Sequence, residues 1–340
     1  MTHAVIMAGG RGERLRPITD TVPKPALTVA GVPAIGYAIR MLEGAGVRTA
    51  TAAVRYLADE VADAIRDVDT EVDVGCYVED AQLGTSGCVS AAINELPHRD
   101  DVDEVIVLSG DAVCDFDLRP AISYHRRCGA DATLVLTESD EPHLYGNVTL
   151  DSDGDRGRIT RFIEKPKGAR APALINTGIY ILSRRALSRI PAGESDFARD
   201  IFPSMLKNGD RIFGIRASGY WCDIGAPASF LRANFDAANN RIRGVTASIS
   251  PTGAIMSPSS RAGMGTTLTG CLLFPNVTVG VEVHAQDSIF CRAVTIGDGV
   301  TIGEGCVIGE GCVIKNGAAI PSGTMLEAGT VINMNKIARR

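Results

Sequence analysis

Apolar residues recur along this chain with two different periods, and the change between them falls near residue 244. From residue 4 to about 220, short β-rich apolar runs alternate with segments whose apolar residues keep helical spacing. The runs Ala4–Met7, Thr49–Val54, Val72–Tyr77, Val105–Ser109, Ala132–Leu136, Gly178–Ile181 and Arg211–Ile215 predict strands. Ile35–Gly44, Leu57–Arg66, Cys88–Glu95 and Pro120–Cys128 predict helices. This alternation predicts an α/β domain built on a mixed, mostly parallel sheet covered by helices. Ligands in such sheets bind beyond the carboxyl ends of strands, where the loops after Met7 and Ser109 fall.

A helical stretch, Pro227–Arg243, closes this region, and Asn239, Asn240 and Gly244 suit its end. Beyond it the period becomes six. Ile296, Ile302, Ile308, Ile314, Ile320, Leu326 and Ile332 recur without a break, and Gly299, Gly305, Gly311, Gly317, Gly323 and Gly329 follow the first six of them by three places. Each hexapeptide makes one flat side of a triangular coil, with the aliphatic residue inward and glycine at the turn. An ordinary sheet would show period two instead. Looser coils are expected from about Ile249. The expected domains are residues 1–243, ending in the linker helix, and residues 244–340, a parallel β-helix of hexapeptide repeats.

Composition narrows the functional classes. With 340 residues there is material for two domains, and a formal charge of −6 argues against a nucleic-acid partner, which would call for a basic face. The nine cysteines are scattered, without a Cys-x-x-Cys pair, as expected of reduced apolar fillers. No basic start with an apolar stretch marks a signal peptide, and no run approaches a membrane span, so the chain reads as cytoplasmic with no membrane partner.

The first strand empties into Ala8, Gly9, Gly10, Arg11, Gly12, Glu13, Arg14, Leu15, Arg16 and Pro17, and Pro23, Lys24 and Pro25 follow. Glycines let backbone N–H groups approach a polyphosphate closely, and Arg14 and Lys24 add a bidentate fork and a mobile point charge. No Gly-Lys-Ser/Thr closes a Walker loop, and Leu15 stands where the dinucleotide fingerprint needs its third glycine. The pattern instead resembles the sugar-nucleotide pyrophosphorylases, whose Gly-Gly-x-Gly-x-Arg-Leu-x-Pro-x-Thr and Pro-Lys-Pro are matched from Gly9 to Thr19 and from Pro23 to Pro25. Glu13 departs from the threonine common in that family.

The resemblance implies a Rossmann-like nucleotidyltransferase domain followed by a left-handed β-helix. The implied reaction is in-line attack by a sugar 1-phosphate on the α-phosphorus of a nucleoside triphosphate, assisted by Mg²⁺ and releasing pyrophosphate. Arg14, Lys24 and Asp111 would be catalytic. Leu108-Ser109-Gly110-Asp111 and Trp221-Cys222-Asp223-Ile224-Gly225 match family segments whose aspartates hold Mg²⁺, which makes Asp111 and Asp223 the expected ligands. Ala8, Gly9, Gly10, Gly12 and Gly110 would line the nucleotide. In Glu79-Asp80-Ala81-Gln82-Leu83-Gly84-Thr85-Ser86-Gly87, which resembles the guanylyltransferase branch, Glu79 or Gln82 would pair with the base beside Gly84 and Thr85. Many relatives have proline where this chain has Gln82.

For the second substrate, Phe162-Ile163-Glu164-Lys165-Pro166 resembles the Glu-Lys-Pro motif, with Glu164 on sugar hydroxyls and Lys165 on the sugar phosphate. Asn176 and Thr177, and Gly146 after Tyr145, fit two further sugar-site segments. GTP and mannose 1-phosphate are the expected pair. Thymidylyl transfer and a heptose, glucose or cyclitol phosphate remain alternatives, as does a non-catalytic regulatory subunit. An acyltransferase reading would rest on His284, the sole histidine of the repeat region. The solenoid's flat faces suit assembly into a homodimer or higher homo-oligomer.

Overall fold

The computed structural model describes residues 1–333. The chain forms two compact units: Met1–Gly10 with Pro33–Trp221, and Arg11–Val32 with Cys222–Arg340. Among the described residues no helix is long and apolar enough to cross a membrane.

The first unit is built on nine strands: β1 Thr2–Ala8, β2 Thr49–Val54, β3 Asp73–Val78, β4 Glu104–Ser109, β5 Ala132–Ser139, β6 Gly146–Leu150, β7 Arg156–Glu164, β8 Ala173–Ser183 and β9 Ile212–Arg216. They lie in the order β3-β2-β1-β4-β8-β5-β9-β7-β6. The half from β3 to β4 is parallel throughout, and β5 pairs parallel with β9. The remaining neighbours are antiparallel, so the sheet is mixed.

Strand alternation divides the apolar residues between two cores. Ala4, Ile6 and Ala8 face the helices Ala34–Gly44, Ala58–Arg66 and Arg119–Cys128, whereas Val5 joins the opposite core with Val89, Phe197 and Phe202. Strands β6 and β7 were not anticipated. β7 interleaves the buried Gly157, Ile159 and Phe162 with exposed arginines and threonine, a pattern too polar and too interrupted by its register shift to stand out as a strand. The helical stretch Phe197–Lys207 was also missed, and Pro227–Ala238 ends five residues before Arg243.

In the second unit the hexapeptides form three parallel sheets of two- and three-residue strands. The aliphatic column from Ile296 to Ile332 is buried in one core, and the six repeat glycines all adopt positive φ at the corners. Early coils advance 17 residues, as from Thr267 to His284, and later ones 18, as from Asp298 to Asn316. Those shorter turns are why the six-residue rhythm is ragged before Ile296. At Gly303 an added Cβ would lie 2.5 Å from the backbone nitrogen of Ser322 in the next coil, so the stack excludes any side chain there.

Candidate active site

The site residues of the first unit stand where parallel strands end. Ala8 closes β1, and Gly9 and Gly10 follow it. A methyl group at Gly9 would sit 2.6 Å from a carboxylate oxygen of Glu79, the residue after β3, so glycine allows that carboxylate to lie against the turn. Glu79 is buried, and its other oxygen accepts a 3.4 Å hydrogen bond from the Leu83 amide. Burial raises its carboxyl above the ordinary value, partly offset by that amide and by the Arg55 guanidinium. Gln82 is exposed.

Gly84 and Thr85 open the helix Gly84–Asn94 rather than a free loop. The Thr85 hydroxyl donates to Asp196 at 2.8 Å and accepts from the Phe197 amide at 2.9 Å. A Cβ on Gly84 would meet the Ser195 carbonyl oxygen at 2.4 Å, and Ser86 and Ser195 share a buried 2.7 Å hydrogen bond. Sequence reasoning did not single out Ser195 or Asp196. They lie more than a hundred residues from Thr85, and nothing in their local pattern points to it.

After β4, the Gly110 amide donates to the Met7 carbonyl at 2.9 Å, and a Cβ there would press on Ile6 at 2.9 Å. The neighbouring Asp111 accepts a hydrogen bond from the Ser109 hydroxyl, which orients its carboxylate. The residues expected at the sugar phosphate lie on β6, at the end of β7 and on β8. Gly146 pairs with Glu164, and a Cβ on Gly146 would stand 2.8 Å from a Glu164 oxygen. Lys165 holds a positive φ of 45°, its ammonium lies 3.5 Å from Glu164, and its side chain is 65% exposed, free to swing toward an anion. Asn176 uses its amide on Tyr180 and on the Gly178 N–H. Thr177 is buried with its hydroxyl on the Val135 carbonyl, while its own carbonyl accepts from Trp221.

The second unit carries Arg14 and Lys24. Gly12, at φ 65°, starts a 3₁₀ turn from Glu13 to Leu15, and its carbonyl accepts the Thr19 hydroxyl at 2.8 Å. Glu13 is exposed on that turn. Lys24 is buried and donates to Asp223 at 2.7 Å, and Arg14 approaches the other oxygen of Asp223 at 3.6 Å. The Arg14 side chain is 70% exposed and that of Lys24 only 8%, so Arg14 is the cation with freedom to reach. Gly225 was not anticipated as a functional residue. A Cβ there would lie 2.6 Å from the Arg14 guanidinium and 2.9 Å from Asp223, so the missing side chain makes room for the pair.

The first unit offers a glycine turn and an acid at a strand end, and the second offers two cations converging on one carboxylate. A nucleotidyl transferase family model matches residues 3–240. The chain belongs to the nucleotidyl transferase family. It is 35% identical over 230 residues to the mannose-1-phosphate guanylyltransferase catalytic subunit beta of Danio rerio. It is 34% identical over 233 residues to the mannose-1-phosphate guanyltransferase of Aspergillus oryzae. Each match covers 67% of this chain and 62% of the relative, so this nucleotidyl transferase spans less than two thirds of their length. The solved structure of HddC from Yersinia pseudotuberculosis aligns with a TM-score of 0.58 at 28% identity, over 69% of this chain and 99% of that one. HddC has also been solved in complex with GMP-PN.

Proposed function

We propose that this nucleotidyl transferase moves a guanylyl group from GTP to mannose 1-phosphate, forming GDP-mannose and pyrophosphate. A phosphate oxygen of the sugar phosphate bonds to the α-phosphorus as the bond to the bridging oxygen breaks, and pyrophosphate leaves with the electron pair. The observation that carries this reading is the convergence of Arg14 and Lys24 on Asp223. Two cations held by one acid are a charge reserve for a polyanion: the exposed Arg14 swings onto the leaving phosphates while Lys24 holds charge beneath them.

The amides of Gly9, Gly10 and Gly12 line the phosphates. Glu79 accepts from the N1–H and N2–H of guanine, the base that the GMP-PN of HddC also carries. Lys165 grips the sugar phosphate, and Glu164 accepts from sugar hydroxyls. Because the Thr85 and Thr177 hydroxyls are already bonded, those two residues contribute their backbone. Asp111 and Asp223 would each offer the hard carboxylate oxygens that Mg²⁺ prefers. When bound, that ion screens the charge between the two phosphates.

A matrix of nucleoside triphosphates against sugar 1-phosphates, read as pyrophosphate, tests the proposal. Release that requires GTP and mannose 1-phosphate together is the expected result. Absence of release from every pair overturns the reaction, and preference for another sugar overturns the acceptor.

A further inference from the structure

The segment that carries Arg14 and Lys24 belongs to the same compact unit as the helix Pro227–Ala238 and the β-helix. Its attachments are specific. The Thr21 hydroxyl donates to the Glu310 carboxylate at 2.8 Å, across 289 residues of sequence. Glu310 sits in a corner of the solenoid between Gly309 and Gly311, and its backbone is locked there: its carbonyl accepts from Gly329 and the Gly311 amide donates to Arg292. Burial chiefly pushes the Cys291 thiol up to about 12, with smaller contributions from Cys312, then Glu310, then Asp20. Arg16 holds Asp20 from within the segment at 3.0 Å. At the far end, the Ala30 amide donates to the buried Asn234, whose own amide group donates to the Phe230 carbonyl. Phe230 in turn meets Phe274 of the first coils edge-on, with ring centroids 6.2 Å apart.

The groups proposed to handle phosphate stand on both sides of the first anchor: Gly12, Arg14 and Thr19 precede Thr21, and Lys24 lies between Thr21 and Ala30. Thr19 ties Gly12 to the turn, and Lys24 is tied to Asp223. We infer that Glu310 is a positioning residue: the β-helix holds the phosphate segment through Glu310 and Thr21 and thereby sets where Arg14 stands. This inference rests on the reaction proposed above only for its kinetic consequence, because the anchoring itself is a property of the free protein.

The test uses the full chain and two pairs of variants. Thr21→Val and Glu310→Ala remove the hydrogen bond, whereas Thr21→Ser and Glu310→Gln keep a donor and an acceptor. In hydrogen exchange, peptides covering residues 12 to 22 should exchange about fivefold faster in the first pair, as expected for loss of one charge-assisted bond at an exposed site, and at the wild-type rate in the second. Peptides from the aliphatic column of the β-helix should not change. In pyrophosphate release, Thr21→Val should lower kcat about fivefold with KM for the sugar phosphate unchanged, and Thr21→Ser should restore it. Unchanged exchange in residues 12 to 22, or an equal rise in the β-helix peptides, overturns the inference. So does an altered exchange with an unaltered kcat. A wild-type protein that releases no pyrophosphate from any substrate pair overturns the proposed reaction, and the exchange measurement still decides the anchoring.

Discussion

Lys24 donates a 2.7 Å hydrogen bond to Asp223 across 199 residues, and Arg14 flanks the same carboxylate. Replacing Asp223 by asparagine removes the negative charge that faces the buried Lys24 ammonium. Asp223→Asn should cost about 2 kcal/mol of stability, less than a fully buried pair because the carboxylate keeps some solvent contact. Activity should fall by about 10²–10³ because both cations lose their orienting acid. Thermal unfolding and pyrophosphate release measure the two effects separately. A full-rate Asp223→Asn enzyme would remove this carboxylate from the mechanism.

Gly225→Ala separates position from charge. The new methyl group would press on the Arg14 guanidinium, the far end of a flexible side chain, and on Asp223. The fold should therefore survive with Tm shifted by only about 2 °C, while kcat/KM falls about tenfold as Arg14 is displaced. A large loss of Tm would instead show that the backbone at Gly225 cannot adjust.

Glu79 predicts a pH dependence. Its carboxyl titrates above the ordinary value because it is buried, so the ionised form costs stability at neutral pH. That cost disappears as pH falls through the raised, folded-state pKa. Glu79→Gln should therefore be more stable than wild type at pH 7, with the gain shrinking toward pH 4. Recognition runs the other way: protonation removes an acceptor for guanine, so KM for GTP should rise on acidification before ordinary carboxylates titrate. A KM flat over that range, or a Glu79→Gln enzyme with undiminished preference for GTP, would show that another group reads the base.

The buried hydrogen bond between Ser86 and Ser195 joins the start of the Gly84–Asn94 helix to the segment before Phe197. Ser86→Ala leaves the Ser195 hydroxyl without that partner and should cost about 1–2 kcal/mol in chemical denaturation. If this junction also steadies Glu79, KM for GTP should rise with little change in KM for the sugar phosphate.

In the β-helix, Gly303→Ala drives a methyl group against backbone in the next coil. Backbone cannot swing aside, so we expect a loss of several kcal/mol, about 3 or more, seen as a separate early unfolding transition. A single unshifted transition would mean that the coils can spread.

Much of this protein is legible in its sequence because the relevant signals are local. The six-residue rhythm names the residues of the β-helix core, since each coil repeats one contact pattern with its neighbours. The motif from Gly9 to Pro25 reads as a phosphate site, because the backbone freedom and charge such a site needs sit in one stretch of chain. Strands β1, β2 and β4, buried on both faces, stand out as apolar runs.

Other features depend on which distant segments meet. β7 reads as polar because only alternate residues are covered, and its cover comes from elsewhere in the fold. Thr85 looks like a ligand-facing threonine until Asp196 arrives beside it from more than a hundred residues away. Gly225 is an ordinary glycine until Arg14 stands against it, and Glu310 an ordinary corner residue until Thr21 meets it. The sequence by itself determined the two periodicities and the kinds of chemical group available for phosphate. Only the tertiary structure decided which acid holds which cation and which hydroxyls are already committed, because a hydrogen bond or ion pair requires an approach within a few ångströms that chain closure over hundreds of residues alone can produce.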